Sequence, residues 1–316
     1  MRKSSRKGNL ISYALLACCL SSLAVGAQAP SSGEDSVIQE FDVLIKGEHY
    51  AEALPKLEAY TRDHPNSWRS YYQLGYVYFR LHRIQESTQA LSHSLVLNLR
   101  CADAHRILGY DLNIAGRQDL AIRELLQAVA MAPNSYESHY ELGRIYFDQG
   151  SYVQAVQELE KARALAPDFV RVWDNLGLAY GAVGDKTKAV ECFRKALELN
   201  SSQKKQSPWP YIDYGTWCNL QNDFETARKL LVQAVQIDGT FDQAFGELAK
   251  AYRGLGNLSK AVEAYQQAII LNPKKAEYHF ALAQVYRRNG QAEAFRREMV
   301  QFQKMTEAAP RRADGS

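Results

Sequence analysis

Apolar residues along most of the chain recur at the spacing of one helical face. Leu74 and Tyr78 lie four residues apart, as do Leu142 and Tyr146, so each pair shares one side of a helix. Equivalent pairs return with a period of 34 residues, and a second helical pattern follows each of them. The pattern therefore predicts one continuous array of helical hairpins rather than two unrelated domains.

A small residue follows the leucine position of each period. These small positions are Gly75, Gly109, Gly143, Gly177, Gly215, Ala249 and Ala283. The steps between them are 34 residues, except for one of 38 that marks an insertion around Ser201 to Pro210. A helical glycine costs about 1 kcal/mol relative to alanine, and a close approach between two helices offsets that cost. A second series of small residues, mostly alanine, predicts the partner surface of that approach.

The unit that begins at Val170 carries the most complete set of these positions. Its residues are Trp173, Leu176, Gly177, Tyr180, Ala189, Phe193 and Ala196. This set resembles the tetratricopeptide repeat, whose pattern is W-x2-L-G-x2-Y followed by A-x3-F and A over 34 residues. The resemblance extends from about Gly33 to Ala309. It implies an all-α, right-handed superhelical solenoid of about eight helix-turn-helix units, with the first helix of each unit on the concave side.

The unit boundaries follow from the same register. Units are expected to begin near Glu34, Trp68, Ala102, Tyr136, Val170, Pro208, Asp242 and Ala276. The first and last are atypical, because Phe41 and Phe295 stand where small residues are expected. We interpret the insertion as a longer surface turn, with a hinge or a contact loop presenting Trp209 as alternatives. The tail, residues 310–316, is expected to be disordered.

The N-terminal segment differs from the repeats. A basic start, Arg2 to Lys7, precedes a mostly apolar run from Leu10 to Ala27 and then a group of small residues. This order is typical of a secretory signal peptide, here residues 1–27 with cleavage after Ala27. An uncleaved membrane anchor and a lipid anchor on Cys18 are the alternatives. The sequence therefore predicts export to a periplasm or cell envelope, with membrane contact only through such an anchor.

The charge of the chain depends on that segment. The whole sequence has 38 basic and 35 acidic residues, a net charge of +3. Residues 1–27 hold four basic and no acidic residues, so the remainder carries −1. A nearly neutral chain offers no long-range attraction for nucleic acid, and we expect no nucleic-acid partner. Outside the signal peptide, we interpret the cysteines as small buried residues. A disulfide bond between Cys192 and Cys218 is the alternative.

Motifs for catalysis are not found in the sequence. It contains no HExxH, GxSxG or GxxxxGK[ST] motif and no His/Cys cluster at metal spacing, so we predict no enzyme activity, cofactor or metal. His105, His139 and His279 share the fourth unit position and are interpreted as packing residues. The acidic pair Glu158 and Glu160 is interpreted as part of a solvated helix face.

The resemblance also implies where a ligand binds. Unit positions two, five, nine, twelve and thirteen line the groove in the family, and tyrosine and arginine are common interface anchors. The candidate groove residues are Arg69, Tyr72, Tyr76, Arg106, Tyr110, Tyr140, Arg144 and Arg171. We predict that they bind a peptide or protein segment with an acidic element; the Lys/Asn clamp with which some members hold a C-terminal carboxylate is missing.

The sequence therefore predicts a non-catalytic scaffold or adaptor for a protein partner. A glycan- or polymer-binding module and an accessory subunit of an envelope enzyme are the alternatives.

Overall fold

The computed structural model describes residues 32–308. The predicted signal peptide with its alternative anchors, including Cys18, and the tail at residues 310–316 lie outside the described residues. Within residues 32–308 the chain forms sixteen α-helices and no strand. None of these helices is both long and apolar enough to span a membrane.

The helices alternate between an inner and an outer layer. The odd-numbered helices are α1 (Ser32–Lys46), α3 (Trp68–Arg80), α5 (Ala102–Ile114), α7 (Tyr136–Asp148), α9 (Val170–Val183), α11 (Trp209–Leu220), α13 (Asp242–Gly254) and α15 (Ala276–Arg288). The even-numbered helices are α2 (Tyr50–Asp63), α4 (Ile84–Leu97), α6 (Gln118–Met131), α8 (Tyr152–Leu165), α10 (Lys186–Ser201), α12 (Phe224–Ile237), α14 (Leu258–Leu271) and α16 (Ala292–Ala308). Each odd helix forms a hairpin with the even helix after it. From α1 to α13, successive odd helices also pack together and make a continuous inner wall.

The turn inside each hairpin contains one residue in the left-handed region. That residue is Gly116, Gly150, Gly184, Gly256 or Gly290 in five hairpins and Glu48, His82 or Asn222 in the other three. At Gly184, φ is 87°, a conformation that costs glycine nothing, and the following residue donates its N–H to the Tyr180 carbonyl. The repeated turn explains why the hairpins keep one geometry.

The close approach predicted from the small residues occurs inside each hairpin. A Cβ atom placed on Gly177 would lie 2.6 Å from the Phe193 ring, and one on Gly143 would lie 2.7 Å from Leu159. The alanines at the repeated small positions of the second helices, such as Ala155 and Ala189, have no exposed surface. The all-α solenoid predicted from the sequence is confirmed.

The four-residue insertion forms a closed turn between α10 and α11. Asn200 is fully buried, and its side chain donates to the carbonyl of Ser207 at 2.8 Å and accepts from the N–H of Ser207 at 2.9 Å. These two bonds tie the two ends of the turn together. Trp209 follows at the start of α11, 43% exposed, with its ring edge-to-face against Phe241 at 5.1 Å. The geometry favours a surface turn over a hinge.

Aromatic residues pack together in the first and the last described units. Phe41 is 3% exposed and packs edge-on against Tyr60, at a centroid distance of 5.5 Å. At the other end, Phe302 occupies a position that is Ala in most units and packs on Phe280 at 5.2 Å.

The cysteines of the described chain are free thiols. Cys192 and Cys218 are buried in the same apolar cluster, and no bridge joins them. Burial raises the pKa of each thiol to about 12, so both are neutral and unreactive at physiological pH.

Candidate functional site

Aromatic side chains form a path along the inner wall between α3 and α5. Phe79 contacts Tyr76 at a centroid distance of 6.3 Å and Tyr110 edge-on at 5.3 Å. Tyr76 also accepts a hydrogen bond from Arg80 at 3.0 Å. Tyr76 and Tyr110 are both half-buried, so part of each ring is accessible from the groove.

The two other predicted groove tyrosines differ in burial. Tyr140 is only 5% exposed, because Phe169 in the turn before α9 covers it at 5.8 Å, and burial raises the pKa of Tyr140 to about 12. Tyr72 is half-buried against the neighbouring unit, and burial raises its pKa as well. The structure therefore places Tyr140 in the core between units, where it supports the wall, rather than on the groove surface.

The four predicted arginines occupy different surroundings. Arg69 is held by Asp35 of the first unit, with 2.6 Å between Nη1 and Oδ1. Arg106 lies 3.2 Å from Asp103, and Arg144 lies 3.2 Å from Glu141. Arg171 is exposed and makes no ion pair with any described residue; its guanidinium lies 5.9 Å from the Phe169 ring.

Three of these arginines act on Glu141, which sequence reasoning did not identify. Burial raises the pKa of Glu141, although Arg144, Arg106 and Arg171 all act to lower it. These guanidinium groups come from α5, α7 and α9, so the charges of three successive units act on one carboxyl group. Arg69 lies apart from them. The cluster has more guanidinium groups than buried carboxylates, and an anionic group of a ligand would fit beside Arg171.

Two carboxyl groups of successive inner helices lie near each other in the next two units. Asp174 on α9 and Asp213 on α11 are close enough for each to affect the pKa of the other. Burial, and then repulsion by Asp213, raises the pKa of Asp174 well above its ordinary value. Asp174 is 4% exposed, and its Oδ1 has no hydrogen-bond donor among the described residues. The raised pKa favours the neutral form of Asp174 in the inner wall.

The histidines at the fourth unit position do more than fill space. His139 Nδ1 lies 2.6 Å from Glu158, and its Nε2 lies 3.0 Å from the carbonyl of Pro133. His105 makes the same two contacts, with Glu124 at 2.6 Å and the carbonyl of Leu99 at 3.1 Å. Burial lowers the pKa of His105, but its two hydrogen bonds outweigh this and the net shift is upward.

Trp173 occupies the same position and makes the equivalent backbone contact. Its indole N–H donates to the carbonyl of Pro167 at 2.6 Å. A ring N–H at this position therefore joins its unit to the end of the preceding one. The interpretation of these histidines as structural agrees with this geometry.

The interpretation of Glu158 and Glu160 as a solvated face is wrong. The Glu158 side chain is 14% exposed and bonds both His139 and Lys161. Glu160 accepts from the Tyr180 hydroxyl at 2.8 Å and from Arg163 at 2.7 Å. Glu158 joins the two helices of its own hairpin, whereas Glu160 joins its unit to the next one, because Tyr180 lies on α9.

No group of three or more His, Cys, Asp or Glu side chains within residues 32–308 is placed to hold a metal ion.

Comparisons with known proteins address the repeats and the fold. Profiles described as "TPR repeat" match residues 143–184 and 249–290, and profiles described as "Tetratricopeptide repeat" match residues 170–203 and 38–93. A comparison with curated protein sequences returned no match. Many solved structures are similar in fold, and three of them illustrate the range.

The first is the APC/C hetero-tetramer Cut9-Hcn1, at 17% identity and a TM-score of 0.67, covering 79% of this chain and 49% of that one. PilW, titled a widely conserved type IV pilus biogenesis factor, has 17% identity and a TM-score of 0.60, covering 66% and 94%. PilF from Pseudomonas aeruginosa has 24% identity and a TM-score of 0.56, covering 69% and 97%. These likenesses concern the fold alone. The chain is therefore built of tetratricopeptide repeats and folds as an α-helical solenoid of them.

Proposed function

We propose that this protein is a non-catalytic scaffold that binds a peptide or protein segment in the inner groove between α3 and α9. The observation that carries the proposal is the combination of accessible aromatic rings with the arginine cluster. Tyr76 and Tyr110 offer large contact areas with hydroxyl groups, and Arg171 offers an unpaired guanidinium. Such residues are enriched at the energetically important points of protein interfaces.

The ligand segment is proposed to carry an acidic element. A carboxylate placed near Arg171 would also be attracted by the charges of Arg106 and Arg144, as the Glu141 carboxyl is. Asp103, the present partner of Arg106, is 63% exposed, so a ligand carboxylate can replace it at little cost. The aromatic path would then hold the apolar part of the segment.

Alanine at Arg106 and Tyr110 is expected to weaken partner binding about tenfold or more without changing the helix content. The test is a pull-down from solubilised envelope extract with wild type and the Arg106→Ala/Tyr110→Ala variant. Arg123→Ala/Tyr152→Ala is the matched control, because both residues are exposed on outer helices. Circular dichroism establishes equal helicity, and titration calorimetry with the captured partner supplies the affinities.

Each outcome of this comparison is informative. Proteins that wild type and the control retain, and the groove variant loses, support the proposal. Equal retention by all three variants excludes this part of the groove. Retention of glycan that survives protease treatment of the extract would replace the peptide ligand by a polymer. A stable enzyme that co-purifies independently of the groove would indicate an accessory subunit.

Export to a periplasm or cell envelope is proposed from the arrangement of residues 1–27. We expect the protein recovered from an envelope fraction to begin at Gln28, and N-terminal sequencing measures this. An intact N-terminus in a membrane pellet would instead indicate an anchor, and a lipid-modified Cys18 at the N-terminus would indicate a lipoprotein. An intact N-terminus in the cytosolic fraction alone would contradict export.

A further inference from the structure

A second polar feature of the groove lies where α1, α3 and α5 meet. A cleft of about 380 Å³ opens there, and its lining includes three carboxylates, from Asp35, Asp42 and Asp103. Arg69 also lines the cleft and is bound to Asp35. Arg106 approaches Asp103 at 3.2 Å. Asp42 has no cationic partner among residues 32–308, so this part of the chain gives the cleft an excess of negative charge.

The side chain of Gln73 independently indicates that a hydrogen-bond donor is missing in the cleft. This residue also lines the cleft, is 3% exposed, and donates through Nε2 to the Ile38 carbonyl at 3.1 Å and to Asp42 at 2.7 Å. Both partners are acceptors, so the orientation of the amide is fixed. Its Oε1 consequently faces no hydrogen-bond donor from the described chain. A buried acceptor without a donor is uncommon in folded proteins, which indicates a missing donor at this point.

Aromatic rings complete the lining. Trp68 and Tyr72 are both part of the cleft, and the guanidinium of Arg69 already lies 5.6 Å from the Trp68 ring. The faces of aromatic rings attract cations. The first unit as a whole is also negatively charged, because residues 34–67 contain eight acidic and three basic residues. Its charge therefore attracts cations as well. Charge, missing donors and ring faces all favour a cationic group with several N–H donors.

We propose that this cleft receives the guanidinium or ammonium group of an arginine or lysine side chain from the peptide bound in the groove. The N–H groups of that side chain would reach Asp42 and supply the donor that Gln73 Oε1 lacks. This inference rests on the proposed function and adds a second, opposite charge to the ligand. The acidic element lies at the arginine cluster and the basic element lies at the cleft.

The two sites fix the direction and spacing of the peptide. The cleft is centred on α3 and the arginine cluster on α7, two inner helices apart. Packed helices lie about 8–10 Å apart, so the two sites are separated by about 16–20 Å. An extended chain advances about 3.3 Å per residue, which places the basic residue about five or six positions from the acidic one. The basic residue faces the N-terminal end of the solenoid.

The test selects random 12-residue displayed peptides on the purified chain and measures the enriched sequences as free peptides. We expect an arginine or lysine at this spacing from an acidic residue, and replacement of arginine by neutral citrulline should weaken binding about tenfold. Asp42→Asn keeps the acceptor for Gln73 and should weaken the arginine peptide equally, with little further effect on the citrulline peptide. Asp119→Asn, an exposed aspartate on α6, is the matched control and should change neither.

The outcomes separate this inference from the proposed function. Peptides that need Arg106 and Tyr110 but bind equally well with citrulline overturn the cation cleft and leave the groove proposal standing. If no peptide is enriched over the Arg106→Ala/Tyr110→Ala variant, the groove proposal falls, and the cleft is decided by titration with N-acetylarginine amide. A saturable shift of the Trp68 indole NMR signal, missing with N-acetylcitrulline amide and reduced by Asp42→Asn, would support the cleft. Equal effects of both amides would overturn it.

Discussion

Phe193→Ala is expected to lower the free energy of unfolding by about 3–5 kcal/mol, more than any other single truncation considered for this chain. Phe193 has no exposed surface and lies against Gly177 of its own hairpin. Its ring also stacks on Tyr214 at 4.9 Å and contacts Trp217 at 5.8 Å in the next unit. Truncation would therefore leave a cavity both within a hairpin and between two units.

The position of Phe193 should also change how the chain unfolds. In a solenoid each unit contacts only its neighbours, so a weak central interface can separate the array into two cooperative parts. Urea denaturation followed by circular dichroism measures both the loss of stability and any splitting of the transition. Phe280→Ala is the matched control, because Phe280 is 43% exposed at the last unit, and we expect a cost below about 1 kcal/mol there. Equal effects of the two variants would contradict the packing described here.

The fold was predictable because its determinants repeat in the sequence. The glycine series at Gly75, Gly109 and Gly143 sets the register, and the inner helices of those units begin seven residues before each glycine. The close contact that the glycines predict is the contact observed with Leu91, Leu125 and Leu159. These patterns depend on residues within one unit, which are close together both in the sequence and in space.

The candidate site was less predictable because it depends on contacts between units. Tyr140 occupies a groove position of the family, yet Phe169, a residue of the following turn, covers it. Glu141 and Asp213 share the sixth unit position, which the groove assignment did not include. Their importance comes from the particular residues presented by the neighbouring unit. The repeat period shows which positions of neighbouring units are in contact. The charges that pair at those positions differ from one interface to the next.

Those specific pairings give the groove its polarity. Arg69 was predicted to serve the same acidic ligand as Arg106, Arg144 and Arg171, but it lies in an aspartate-rich cleft between α1, α3 and α5. An inner wall that is negative near α1 and has an unpaired cation near α9 distinguishes the two directions of a bound chain. A groove with arginines alone would not do so.

Asp111→Asn is expected to stabilise the protein by about 3 kcal/mol at pH 7.5 and to give no gain near pH 4. Asp111 is fully buried on α5, at a position occupied by Val77 and Ile145 in the neighbouring units. Neither carboxyl oxygen has a hydrogen-bond donor in the described chain, and Ser87 directs its hydroxyl to the Gly75 carbonyl at 3.0 Å. Burial raises the pKa of Asp111 to about 6, a shift that the nearby Ser87 hydroxyl opposes only partly.

The sign of the pH dependence follows from that raised pKa. The folded chain holds the Asp111 proton more tightly than the unfolded chain, whose carboxyl has a pKa of about 3.9. The cost of burying the charge is therefore missing below about pH 4, develops between about pH 4 and 6, and is complete above that range. The difference in unfolding free energy between Asp111→Asn and wild type, measured by urea denaturation from pH 4 to pH 8, should rise over the same interval.

Subtracting the unfolding free energy of wild type from that of Asp111→Asn removes the contribution of titratable groups that both proteins share. One of these groups is His105, whose raised pKa also makes stability fall with rising pH. Asp63→Asn, a change at an exposed residue at the end of α2, should alter stability by less than about 0.5 kcal/mol at any of these pH values. Asp111→Val should stabilise at pH 4 as well, because it also removes the buried polar group. A pH-independent difference between Asp111→Asn and wild type would show that Asp111 does not titrate in this range, and that the buried carboxyl finds a donor in solution.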